Sequence, residues 1–180
     1  MTTNQPLPGE RGDVLQTLVE QRHMLRITVR GIGDEEASKR TTVSELTLGG
    51  LIKHITRCER AWLRLLLDGD GEVPEEMMDM NQYTMTAGET LAGLLDEYAA
   101  AAAFTDETLA GLPDLDRTVP LPIMPWSPPE RQYWSARRIL LHIIRETAQH
   151  SGHADMIREA LDGANSTAQL GVDSANGAFG

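Results

Sequence analysis

The sequence predicts an all-α chain folded as an antiparallel four-helix bundle, with a long proline-rich crossover before the last helix. Three observations carry that prediction. Four long stretches space their apolar residues at helical intervals, no stretch alternates as a strand would, and six of the nine prolines fall between Gly111 and Trp134. The chain has 180 residues, which suits one domain able to bury a core without disulfides or a structural metal.

The first helix is expected over Gly9 to Arg30, with Leu15, Leu18, Leu25 and Val29 on its apolar stripe and Gly31 and Gly33 as stops. The second is expected over Thr47 to Leu67, with Thr47 as N-cap and Gly69 as stop. Its stripe, Leu51, Ile55, Cys58, Trp62 and Leu65, has the spacing of a seam facing the bundle interior. The third is expected over Thr86 to Leu112, opened by the capping box Thr86 to Glu89. The alanines from Ala99 to Ala103 favour helix and let a neighbour approach closely.

Pro113, Pro120, Pro122, Pro125, Pro128 and Pro129 keep the next segment out of helix, so it reads as a strap across the bundle. The fourth helix is expected over Ser135 to Asp162, with Ser135 as N-cap and Gly163 as terminator. Beyond it the chain is small and polar without periodicity. The reading is therefore a bundle over 1–168 and a frayed or disordered tail over 169–180.

Composition narrows the function classes. A net charge of −11 opposes nucleic-acid binding, because phosphate contacts need a basic face. No Lys or Arg occurs between Leu65 and Asp116, a stretch holding about half of the 27 acidic residues, and this reads as a solvated acidic face. Within it, Asp68-Gly69-Asp70-Gly71-Glu72 imitates a calcium loop but has Val73 where the sharp turn demands glycine. A single cysteine excludes a disulfide framework and a thiolate zinc cage, and suits a reducing compartment. Residues Met1 to Gly12 lack the apolar run of a signal peptide, and no apolar run approaches the ~20 residues of a membrane span. A soluble, cytoplasmic protein is expected.

The fourth helix departs from this plain pattern. Its inward stripe reads Ile139, Ile143, Glu146, His150, His153, Ile157, Leu161, apolar at both ends and ionisable in the middle. A carboxylate and two imidazoles in a core are costly unless they are paired or bind a metal. Glu146 and His150 stand one turn apart on one face, which is a ligand spacing. His54, on the inward side of the second helix with apolar neighbours Leu51 and Cys58, completes a set across the core. Three N and O donors leave a coordination position open, as in catalytic sites. His142 lies slightly off the stripe, and His23 reads as a surface residue. Cys58, on the packing stripe, reads as core.

Two stretches carry a family resemblance. Leu48 to Trp62, LGGLIKHITRCERAW, and His142 to Glu159, HIIRETAQHSGHADMIRE, resemble the DinB-like superfamily and most closely its mini-circle protein branch, over about residues 10–163. The resemblance implies a four-helix bundle holding a divalent metal on His54, Glu146 and His150. Zinc is expected, with nickel, iron and manganese as alternatives. Many relatives carry His at the position of Glu146. The His, Glu, His version is similar to mycothiol-dependent maleylpyruvate isomerases, and the superfamily includes thiol S-transferases.

Two functions follow. In the first, a low-molecular-weight thiol such as mycothiol is the cosubstrate and is transferred to a small electrophile. In the second, the ion only braces a bundle with a stress-response or interaction role. His153, Glu59 and His142 are expected to support the ligands or face the substrate, with Glu59 a candidate hydrogen-bond partner for His153. The expected partners are a small thiol and a small electrophile, with a homodimer left open, and neither nucleic acid nor membrane.

Overall fold

The computed structural model describes residues 7–79 and 81–175. Four long helices form the bundle: α1 (Glu10–Ile27), α3 (Leu48–Asp68), α4 (Leu91–Gly111) and α5 (Ala136–Asp162). A short α2 (Asp34–Ser38) follows α1, and α6 (Ser166–Ala175) follows α5. Strands β1 (Thr118–Pro120) and β2 (Tyr133–Ser135) pair antiparallel. No helix among the described residues is long and apolar enough to cross a membrane.

Around the bundle the order is α1, α5, α3, α4, with α1 against α5, α5 against α3, α3 against α4, and α4 against α1. Two apolar clusters fix the directions. One joins Val14 and Leu18 of α1 to Leu63 and Leu66 of α3, Leu109 of α4, and Ile139 and Ile143 of α5. The other joins Leu25, Leu51, Leu94 and Ile157. So α1 and α5 run one way while α3 and α4 run the other. The bundle is mostly helical as expected, but two of its neighbouring pairs are parallel.

Parallel α3 and α4 demand a return along the full height of the bundle. That return is residues 69–90, including a 3-10 turn at Glu75–Met77, and it runs antiparallel along α3. Arg64 pairs with Glu76 at 3.2 Å, Arg57 with Asp79, and Lys53 with Glu89 at 2.8 Å. Glu76, Asp79 and Glu89 of the expected solvated acidic face are thus one side of a seam whose basic side is α3. The return reaches the start of α3 because Gly49 and Gly50 have no side chain. A Cβ on Gly50 would overlap the Tyr83 carbonyl, and one on Gly49 would overlap the Met85 sulfur.

Element boundaries differ from the sequence pattern: α1 stops at Ile27 instead of Arg30, α2 follows it, and three later segments depart as well. The Thr86–Glu89 box predicts a helix start at Thr86, and Glu89 does accept the Thr86 N–H at 2.6 Å. Gly88, at φ 92°, then turns the chain, and α4 begins at Leu91 with Thr90 accepting the Gly93 N–H. The proline-rich segment crosses from α4 to the diagonal α5 at one end of the bundle, and its ends pair as β1 and β2 instead of remaining irregular. Residues 166–175, read partly as tail, are helical. Asp155 of α5 accepts the Ser166 N–H and hydroxyl at 2.7 and 2.8 Å, a start signal that lies outside the segment itself. Residues 176–180 of the expected tail lie outside the described residues.

Between the two apolar clusters lies a polar layer. Glu59 of α3 has 0% exposure and accepts from Arg22 of α1 and Thr105 of α4, and Arg22 also donates to Asp106 at 2.8 Å. Arg22→Met would strand a buried carboxylate and should cost about 3–5 kcal/mol in urea unfolding, with the Arg22→Met/Glu59→Met pair recovering much of the loss. Gly50→Ala should cost ~1–3 kcal/mol and expose residues 69–90 to limited proteolysis. Gly152→Ala, whose Cβ meets nothing within 4 Å in mid-α5, should be neutral or stabilising.

Candidate metal centre

The outer side of the polar layer lies on the seam between α3 and α5. His54 and His150 are buried at 7% and 8% exposure, and Glu146 is half-buried beside them. One donor atom from each lies within 4.8 Å of the others. His150 Nε2 stands 3.8 Å from Glu146 Oε2 on the next turn of α5.

His54 is the most constrained of the three. Its Nδ1 lies 2.9 Å from Oε1 of Gln82, a carbonyl that can only accept, so Nδ1 carries the proton. The lone pair is then on Nε2, which is buried with no hydrogen-bond partner. Tyr83 stacks on one face of the ring at a centroid distance of 4.4 Å, and the His150 ring meets it edge-on at 4.7 Å. Gln82 and Tyr83 belong to the return segment pinned over Gly49 and Gly50.

Electrostatics set the protonation states a cation needs. Burial pushes His54 below the usual histidine value, against the opposing pull of Gln82 and Glu146. Burial pushes His150 down to about 4, helped by His54 and His153. Both imidazoles are therefore neutral at pH 7. Burial works against ionisation of Glu146, but Arg145, donating at 2.9 Å, together with His142 and His150 outweighs it and holds the carboxyl below its usual range. Two neutral imidazoles and a carboxylate suit zinc, and also nickel, iron or manganese. The orphaned Nε2 of His54, on a ring whose residue converges with Glu146 and His150, is the observation that fits a bound cation.

The remaining candidates separate. His153 Nδ1 lies 3.3 Å from His150 Nδ1, behind the ligand set. His142 Nδ1 lies 3.7 Å from Glu146 Oε1, and its ring meets Trp62 and Trp134 edge-on at 4.4 and 5.3 Å. Those tryptophans stack at 4.9 Å, with Arg138 over Trp134. Glu59, expected near His153, is held instead by Arg22 and Thr105 towards α1 and α4. Burial, with Glu146 and Glu59, pushes the Cys58 thiol up to about 12, so it stays protonated. His23 is half-buried in the groove of α1, α5 and α6, away from the ligand set.

Gln82 and Tyr83 have no signal in the sequence. They sit in an aperiodic acidic stretch, and only the neighbouring Gly49-Gly50 pair hints that a segment lies close to α3.

Comparison with known proteins adds to this picture. A family model described as Mycothiol-S-transferase matches residues 13–163. The crystal structure of the conserved protein of a locus from Enterococcus faecalis superposes with a TM-score of 0.65 at 18% identity, covering 88% of this chain and 100% of that one, a likeness of fold alone. No curated protein matches. The model match spans all four long helices and all three converging side chains, so the chain belongs to the mycothiol S-transferase family, within the DinB-like superfamily.

Proposed function

We propose that this protein is a zinc-dependent transferase that conjugates mycothiol, or a similar low-molecular-weight thiol, to a small electrophile in the cytoplasm. The observation that carries the reading is the convergence of His54, Glu146 and His150, with the His54 Nε2 lone pair buried and unpaired. A divalent ion held there would keep a coordinated thiol as its nucleophilic thiolate at neutral pH.

The chain's own residues do the rest. Gln82 fixes the His54 tautomer, a contact of the kind that orients metal-binding imidazoles. Arg145 keeps Glu146 ionised and oriented. The return segment covers one side of His54 and excludes water from it. Cys58 contributes packing and no nucleophile, since its thiol remains protonated. Three side-chain donors leave room for a thiol, which favours this reading over an ion that only braces the helices.

Elemental analysis of the purified protein should give one divalent ion per chain. His54→Ala, Glu146→Ala and His150→Ala should each weaken metal binding ~10-fold or more. Full occupancy in all three variants would remove the assignment. Chelation should abolish metal-dependent conjugation of mycothiol while the helical circular dichroism persists, because both apolar clusters survive it. Cys58→Ser should keep most of the rate. A metal-loaded protein with no rate above background across a panel of thiols and electrophiles would overturn the proposal.

A further inference from the structure

Tyr83 is the group that the binding of a thiol leaves unexplained. It lies on the return segment, with its backbone seated on Gly50 and its ring stacked on His54 at 4.4 Å and 29°. At 38% exposure it is open to solvent on one side while its ring lies against His54 on the other. Its phenol lies within electrostatic reach of Glu146 on α5 and Cys58 on α3, the two helices that carry His54, Glu146 and His150. No hydrogen bond to its hydroxyl occurs among the described residues. A tyrosine hydroxyl carries its proton at neutral pH, so it is a donor.

We propose that Tyr83 is a catalytic residue that donates a hydrogen bond to an oxygen of the electrophile, so that the site favours substrates whose displaced electron pair lands on oxygen. The proposal rests on the thiol-transferase reading. A strained epoxide is the simplest such substrate. The thiolate sulfur forms a bond to a ring carbon, and that carbon's bond to oxygen breaks with its pair going to oxygen. The Tyr83 O–H stabilises the growing alkoxide, which then takes a proton from water. The thiol's own proton leaves to solvent on ionisation, so the net change is thiol plus epoxide to a β-hydroxy thioether. A phenol fixed in place before reaction needs no reorganisation as the oxygen gains charge. An alkyl halide sheds its pair onto halide, which gains far less from an O–H donor.

Tyr83→Phe keeps the stack on His54 and removes only the hydroxyl. With metal-loaded protein and mycothiol, the ratio of turnover on styrene oxide to turnover on iodoacetamide should fall ~100-fold in Tyr83→Phe, in kcat more than KM, with metal content unchanged. A second readout is independent of turnover. In protein labelled with 13C at the tyrosine Cζ, the Tyr83 resonance, assigned by its loss in Tyr83→Phe, should shift on titration with the β-hydroxy thioether product. Tyr98 and Tyr133 should not move. An unchanged rate ratio, or a Tyr83 resonance that ignores the product while wild type turns over, overturns the role of Tyr83 and leaves the transferase reading standing. A wild type inactive on both electrophiles overturns both.

Discussion

Burying ionisable side chains at mid-height is the constraint around which this bundle is organised. The two apolar clusters would merge into one ordinary core if α3 did not carry His54 and Glu59 between them. Each of those residues demands partners on a different side. Glu59 faces α1 and α4 and is neutralised by Arg22, an arrangement whose removal by halves is far worse than its presence. His54 faces α5 and the return segment, where Glu146, His150 and Gln82 gather. About 1.4 turns of helix, from His54 to Glu59, thus commit α3 to contact with every other long helix.

The return segment shows how charge and shape divide the labour of placing a loop. Ion pairs at partly exposed positions are worth little each, but the ladder from Arg64 through Arg57 to Lys53 meets Glu76, Asp79 and Glu89 in reverse order and sets the register. The two glycines set the distance. Together they bring Gln82 to Nδ1 and Tyr83 to the ring face of a histidine that its own helix leaves among apolar neighbours.

Much of this was legible in the sequence where a residue's role depends on its own helix. The Glu146 and His150 spacing, the inward side of His54, the N-caps Thr47 and Ser135, and the fate of Cys58 are local facts. What was hidden depends on distant segments. Glu59 reads as a polar residue near a polar site until Arg22 and Thr105 arrive from other helices. The start of α6 needs Asp155 from α5, and the start of α4 turns on the backbone sign of Gly88, which no periodicity encodes. The parallel pairing of neighbours was hidden for the same reason. Stripes say which face is inward, but not which way the next helix runs.

That pairing shapes how the chain acquires its structure in time. Glu10 meets Arg137, and Thr28 and Arg30 meet Arg158, so α1 finds its main neighbour only after α3 and α4 have been made. Contacts of such long sequence separation slow folding. Until then Leu18 and Leu25 have no α5 to cover them, and a nascent chain carries a sticky first helix that benefits from shielding during synthesis. The same order makes the ligand set a late acquisition. Two of its three side chains come from the last long helix, so a chain interrupted before α5 holds a lone His54.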